Sequence, residues 1–318
     1  MTRPRLLPMV PQTSETDICF MPMTRMAHFG AMVLVVAAAA MAVPAWAQDA
    51  SSQQAAAAAP LPTPAAVPFV AHRAVYDLQL DSRKQSTSVD SMRGRIVYDF
   101  SGNACDGYAL NFRQVTEIGL SGGGVNTSDL RSTTFEDDKG HNFRFNSQNY
   151  TNQKVDSVVD GQANREDNGA VAVALKKPKS TKFDLSKEVL FPTGQMKAIV
   201  AAAQAGDHVF ESQVYDGSDG GQKIYDTLAV IGGRISPDKP REGAAVGVKE
   251  LDGIDRWPVT ISYFDPSKKV VGEQTPVYTM SFDLYADGIS GNLSLDYGDF
   301  SLKGSMASLD LLPQTKCK

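Results

Sequence analysis

Val70-Ala71-His72-Arg73-Ala74-Val75-Tyr76-Asp77-Leu78-Gln79-Leu80 is the stretch on which the reading of the fold turns. Its even positions are mostly apolar, while Arg73, Asp77 and Gln79 alternate with them. Successive side chains on a strand point to opposite faces, so a period of two predicts a strand with one face buried and one in water. The same alternation returns at 92–100, 108–112, 141–150, 155–162, 170–175 and 209–215. It continues at 224–231, 257–264, 277–285, 293–297 and 301–311. Between these runs stand turn residues such as Ser101-Gly102-Asn103, Asp137-Asp138-Lys139-Gly140, Asp167-Asn168-Gly169 and Asp287-Gly288. Short connections make successive strands antiparallel neighbours. So many strands in series predict a mainly β protein, a large antiparallel sheet curled into a β-spiral or open barrel that hides its edges, with one or two short helices.

One segment departs from that period. Pro192-Thr193-Gly194-Gln195 introduces Met196, Ile199, Val200 and Ala203 at helical spacing, Gly206 stops the run, and Thr193 is placed to cap its first turn. Five alanines keep this helix slender. Met196, Ile199 and Val200, with Trp257, are candidate lining residues of a ligand cavity; ordinary core packing is the competing explanation.

From Asp49 to Pro68 the chain is mostly alanine, glutamine, serine and proline, with almost nothing to bury. From Gly30 to Ala47 runs an uncharged apolar segment, preceded by Arg25 and closed by Ala45-Trp46-Ala47. Basic flank, apolar middle and small-x-small exit form a secretory signal peptide over 1–47, with cleavage after Ala47 and Gln48 as the first mature residue. An uncleaved anchor is the rival. Residues 1–20 read as an over-long start, with Met21, Met23 or Met26 as initiator. Residues 48–68 are an Ala/Pro linker, and 69–318 is read as one β-rich domain. The protein is therefore expected to be periplasmic.

The 318 residues carry 31 Lys+Arg and 36 Asp+Glu; without the leader 28 and 34 remain, a net charge of −6. An acidic chain with no basic block is a poor partner for nucleic acid. Lys176, Lys177 and Lys179, and Lys268 and Lys269, each flank a proline and read as solvated turns, with peripheral contact to anionic lipid headgroups as the rival. Cysteine arithmetic says more. Cys105 and Cys317 are the two cysteines that outlast the leader, and an exported protein meets an oxidising compartment. A structural disulfide between them is the favoured reading, with a reactive thiol or a metal ligand as alternatives. Closing so long a loop contributes at most roughly 5 kcal/mol.

Catalytic signals are weak. Gly119-Leu120-Ser121-Gly122-Gly123 fits the Gly-x-Ser-x-Gly pattern, which is a nucleophile elbow only where a strand enters and a helix leaves. Here Gly124 and Val125-Asn126-Thr127-Ser128-Asp129 follow without helical period, so a hairpin loop is expected, although His141 and His208 remain candidate partners. The histidines after the leader stand alone, and His72 is read as an interior imidazole. Glu136, Asp137 and Asp138 read as turn caps and solvating groups. No metal site, phosphate loop or cofactor is predicted.

Several segments in order resemble one family. Cys105-Asp106-Gly107-Tyr108, Leu190-Phe191-Pro192-Thr193, Trp257-Pro258 with Tyr263-Phe264, Asp296-Tyr297-Gly298-Asp299-Phe300 and the terminal Cys317 are similar to the EipB cell-envelope integrity family, from about His72 to Cys317. The resemblance implies a periplasmic β-spiral, broadly akin to carriers and sensors of the LolA, LolB and RseB type, with a disulfide between Cys105 and Cys317. It also implies a role in envelope integrity under stress and no catalytic activity. The function expected is that of a non-enzymatic envelope protein that binds an apolar ligand or another envelope protein. A carrier of lipids or lipoproteins and a serine hydrolase acting through Ser121 are the alternatives.

Overall fold

The computed structural model describes residues 68–84, 86, 88–267 and 273–313. The leader, nearly all of the 48–68 linker, Lys268, Lys269 and Cys317 lie outside the described residues.

Fifteen strands among the described residues form one sheet. The first eight are β1 (His72–Leu80), β2 (Val89–Asn103), β3 (Gly107–Leu120), β4 (Val125–Glu136), β5 (Asn142–Thr151), β6 (Lys154–Arg165), β7 (Val171–Lys177) and β8 (Thr181–Leu185). A two-residue strand, β9 (Val189–Leu190), leads into the helix α1 (Pro192–Ala205). Then come β10 (Val209–Val214), β11 (Tyr225–Ile231), β12 (Arg256–Phe264), β13 (Tyr278–Tyr285), β14 (Ser290–Asp296) and β15 (Ser301–Leu311). The spatial order is β8-β7-β6-β5-β4-β3-β2-β1-β15-β14-β13-β12-β11-β10-β9. The first and last strands meet in the middle of the sheet, β1 pairing with both β2 and β15, and every pairing is antiparallel except β9 with β10. The sheet is nearly closed and barrel-like, as the period-two reading expected.

The two edges are brought together at a seam. β8 and β9 are consecutive in the chain yet stand at opposite ends of the strand order, so the chain itself crosses the gap. Phe143, Phe145, Val173, Leu175 and Leu185 from the β5–β8 end pack with Val189, Phe191 and Tyr215 from the other. The backbone around Gly217 lies so close that a Cβ there would overlap the Phe145 ring, and its φ of 72° suits glycine. A second cluster joins Tyr76, Leu78, Ile96, Leu302 and Met306 on β1, β2 and β15, over which the short 3-10 turns at 243–251 pack.

α1 runs from Pro192, a residue suited to a first turn, to Ala205, and Gly206 ends it in the left-handed region at φ 88°. Ile199, Val200, Ala202 and Ala203 are buried against Phe210, Ile231, Val259, Ile261 and Leu284 of β10–β13. The helix thus lies against the inner face of the sheet, and its small alanines allow the close approach.

The sequence pattern missed β4. All twelve of its residues pair with β3, and nine of them with β5. Paired residues share a face, so Ser132 and Thr134 stand beside Phe112 and Leu110 on the inner side. That face is polar, which removes the apolar alternation, and the strand is held by its neighbours' hydrogen bonds. The basic hairpin between β7 and β8 leaves Lys176, Lys177 and Lys179 exposed.

Candidate functional site

The curled sheet and α1 enclose an apolar cavity of about 280 Å³. Inward-facing positions of β1–β3 give it Tyr76, Ile96, Tyr98, Phe100, Leu110 and Phe112; β13 and β14 give Met280, Phe282, Leu293 and Leu295. The first turn of α1 contributes Gln195 and Met196, and Phe69 closes one side just ahead of β1. None of its lining residues is Asp, Glu, Lys or Arg. His72 is the lining histidine. Its Nδ1 lies 2.8 Å from the Val70 carbonyl and its ring stacks on Tyr98 at 5.5 Å. Burial holds its pKa below the ordinary value, so the ring is neutral at neutral pH and Nε2 keeps its lone pair. Burial likewise lifts the Tyr98 phenol to about 12 and raises Tyr263 and Tyr278. The cavity is therefore uncharged as well as apolar.

On one flank the aromatic residues continue outward. Tyr225, Tyr263, Tyr278, Tyr297 and Phe300 form a chain of ring contacts with centroids 5.1 to 6.1 Å apart. Tyr263 and Tyr278 line the cavity, while Tyr297, in the turn after β14, does not and is 36% exposed. Tyr297 therefore covers a lining ring from the solvent side.

A second buried polar cluster lies at the start of α1. Glu136, the last residue of β4, is 4% exposed and accepts hydrogen bonds from the Thr193 N–H at 2.7 Å and the Gly194 N–H at 2.8 Å. A helix N-terminus presents unsatisfied N–H groups and partial positive charge, which a carboxylate answers. The cap expected from the Thr193 side chain is thus replaced. The N-cap position is Phe191, without a side-chain cap, and Glu136 caps from another strand. Burial raises its pKa to about 7, against the opposing pull of the two N–H donors and of Lys197. Lys197 is itself buried, its Nζ 4.6 Å from the centre of the Tyr108 ring. Arg165, at the end of β6, donates to the carbonyls of Gly140, Gly169, Lys187 and Val189 and lies over the Phe191 ring. One guanidinium so ties two hairpin turns to the crossing between β8 and β9.

These positions correct the reading of Glu136-Asp137-Asp138 as turn residues. Asp137 is one, accepting from the N–H groups of His141 and Asn142. Glu136 is buried structure, because strand alternation turns it inward where its neighbour turns outward. Ser121 lies exposed in the β3–β4 turn, its Oγ donating to Asp90 at 2.6 Å. A strand leaves that turn, and His141 follows the far end of the twelve-residue β4, so the strand-to-helix setting of a nucleophile elbow is missing at Ser121. His208 turns its Nδ1 to the Ile231 carbonyl. Among the described residues no group of His, Cys, Asp and Glu is placed to hold a metal ion.

Of the candidate lining residues, Met196 lines the cavity. Ile199, Val200 and Trp257 lie instead in the adjoining core, each nearly or fully buried, because that side of α1 packs straight onto β10–β13. Gln195 escaped the sequence reading although it precedes Ile199 by four and Ala202 by seven, which puts it on the inward face of the helix. Cys105 sits in the β2–β3 turn, where Asn103 accepts from its N–H at 2.7 Å.

Fold and site together define a rolled antiparallel sheet that encloses a small uncharged cavity beside one internal helix. Residues 63–313 match the EipB-like family, and the chain belongs to it. It is 37% identical over 254 residues to the cell envelope integrity protein EipB of Brucella abortus (strain 2308), covering 80% of this chain and 88% of that one. A crystal structure of a beta-barrel-like protein of a domain of unknown function from Brucella abortus matches with a TM-score of 0.70 at 35% identity, covering 77% of this chain and 99% of the other.

Proposed function

We propose that this chain is a non-enzymatic periplasmic protein that helps keep the cell envelope intact by holding an apolar ligand in the cavity. The observation that carries the reading is an apolar cavity of about 280 Å³, partly open to solvent, with no charged side chain in its lining. Ligand sites commonly start near 300 Å³ and are mostly apolar with a few placed polar groups. The envelope role is taken from the relative named a cell envelope integrity protein. The volume suits one apolar chain better than a whole lipid, which favours a holder or sensor over a bulk lipid or lipoprotein carrier. Export rests on the leader, with cleavage after Ala47; a mature N-terminus at Gln48, read by mass spectrometry of periplasmic material, supports it, and an intact Met21 or Met26 terminus in the membrane fraction opposes it.

The test of the cavity is binding of an uncharged fluorescent naphthylamine to the delipidated protein. Saturable binding that Met196→Trp abolishes while the melting temperature is kept supports the reading. Binding that ignores Met196→Trp opposes it.

A disulfide between Cys105 and Cys317 belongs to the same proposal. Cys105 is disulfide-bonded. His72 faces Leu311 on one side and Phe100 on the other, so the chain end and the Cys105 turn run off the same end of the sheet. Two strand spacings, roughly 10 Å, separate them there, within reach of the residues after Leu311.

A further inference from the structure

The geometry points to Gln195 as the polar anchor of the cavity, set to accept a hydrogen bond from an uncharged apolar ligand that carries a hydroxyl or an amide N–H. This inference rests on the apolar-ligand reading above and names the chemistry that reading leaves open.

A count of protons decides the orientation of the amide. Thr227 has one hydroxyl proton and donates it to the Ser212 carbonyl at 2.8 Å. Its Oγ1 must then accept from its other two neighbours, Gln195 Nε2 at 3.0 Å and Ser212 Oγ at 2.9 Å. Gln195 Nε2 also reaches Ser212 Oγ at 3.4 Å. The amide is thereby oriented, its nitrogen committed to β10 and β11, and its Oε1 has no partner among the described residues. Gln195 is only 3% exposed and lines the cavity. An amide oxygen left accessible in the lining of an otherwise apolar cavity is placed to take a hydrogen bond from a donor carried in by the ligand.

The rest of the lining fixes the class. His72, with Nδ1 turned to Val70, offers a second acceptor in its Nε2 and no positive charge. A carboxylate or phosphate placed inside would meet no cation and two lone pairs. A hydroxyl on an alkyl or acyl chain, or an amide N–H of an acylated amine, meets what is there. A charged headgroup would have to stay outside, beyond the aromatic rings of Tyr278 and Tyr297.

Calorimetric titration of the delipidated mature protein with 1-decanol, its methyl ether and decanoate tests this. Wild type is expected to bind the alcohol at least about tenfold more tightly than the ether, which has no donor, and decanoate more weakly than the alcohol. Gln195→Met, close in volume, should remove the preference by weakening the alcohol and leaving the ether. Thr227→Val, which frees the amide to turn, should reduce it in part. Equal affinity of wild type for alcohol and ether, or a preference that survives Gln195→Met, overturns the anchor while leaving the cavity reading intact. Should Gln195→Met fail to fold, Thr227→Val and the wild-type ratio decide. Binding of none of the three overturns the apolar-ligand reading itself and the anchor with it.

Discussion

Two buried polar regions flank the first turns of α1, and they are built on opposite principles. At the seam the ionisable side chains Glu136, Arg165 and Lys197 each have a partner: two helix N–H groups, four carbonyls and an aromatic ring. In the cavity no lining side chain is charged, and the Gln195 Oε1 is left open. A satisfied buried network rigidifies a fold, whereas an acceptor left open in an apolar cavity can take a donor from a ligand. Charge and burial alone would have pointed to the seam as the site. The open acceptor of Gln195 in an uncharged apolar lining points to the cavity.

The contrast between the two regions is most open to test at Glu136. Glu136→Ala leaves two helix N–H groups unanswered at a buried helix start. It should cost about 2–3 kcal/mol, a fall in melting temperature of roughly 5–10 °C for a domain of this size. Naphthylamine affinity, measured well below the melting range, should not change. A lost affinity with an unchanged melting curve would exchange the roles of the two regions.

The proposed disulfide closes the sheet from the other side, pinning the end of β15. Reduction, or a paired Cys105→Ser and Cys317→Ser change, should cost about 2–3 kcal/mol and lower the melting temperature by roughly 5 °C or more. Peptide mapping without reductant that finds both thiols free, or a serine pair with an unchanged melting point, would count against it.

The seam also predicts a pH dependence. Glu136 has a folded pKa of about 7, above its ordinary value of 4.5, so the folded state holds its proton more tightly than the unfolded chain does. The stabilisation from this group is complete below pH 4.5 and is lost as pH rises through about 7. Urea midpoints should therefore fall between about pH 5 and pH 8 in wild type and change less in Glu136→Gln. A wild-type slope that Gln does not reduce would place the titration elsewhere.

The smallest effect is expected at Ser121. Ser121→Ala removes a single exposed bond to Asp90 and should move neither the melting temperature beyond about 2 °C nor the complementation of a deletion strain. Loss of complementation by a stably folded variant would revive the hydrolase alternative.

Most strands and the helix were legible because their signals are local. A period of two from His72 to Leu80 and helical spacing from Met196 to Ala203 reflect which face of each element leaves water, and neighbouring residues record that. The closing of the edges came from the same pattern, since so many strands in series need an edge solution. The chain alone therefore specifies a curled antiparallel sheet with one internal helix. Other features arise only when distant strands meet. β4 shows no apolar alternation because its inner face is polar, and only pairing with β3 and β5 makes it a strand. Glu136 became a helix cap because register brings the end of β4 to a helix that starts fifty-six residues later. The Gln195 oxygen is free because Thr227, on another strand, spends its one proton on a backbone carbonyl. Each of these depends on which atoms meet across the sheet, a relation between distant residues that no local period encodes.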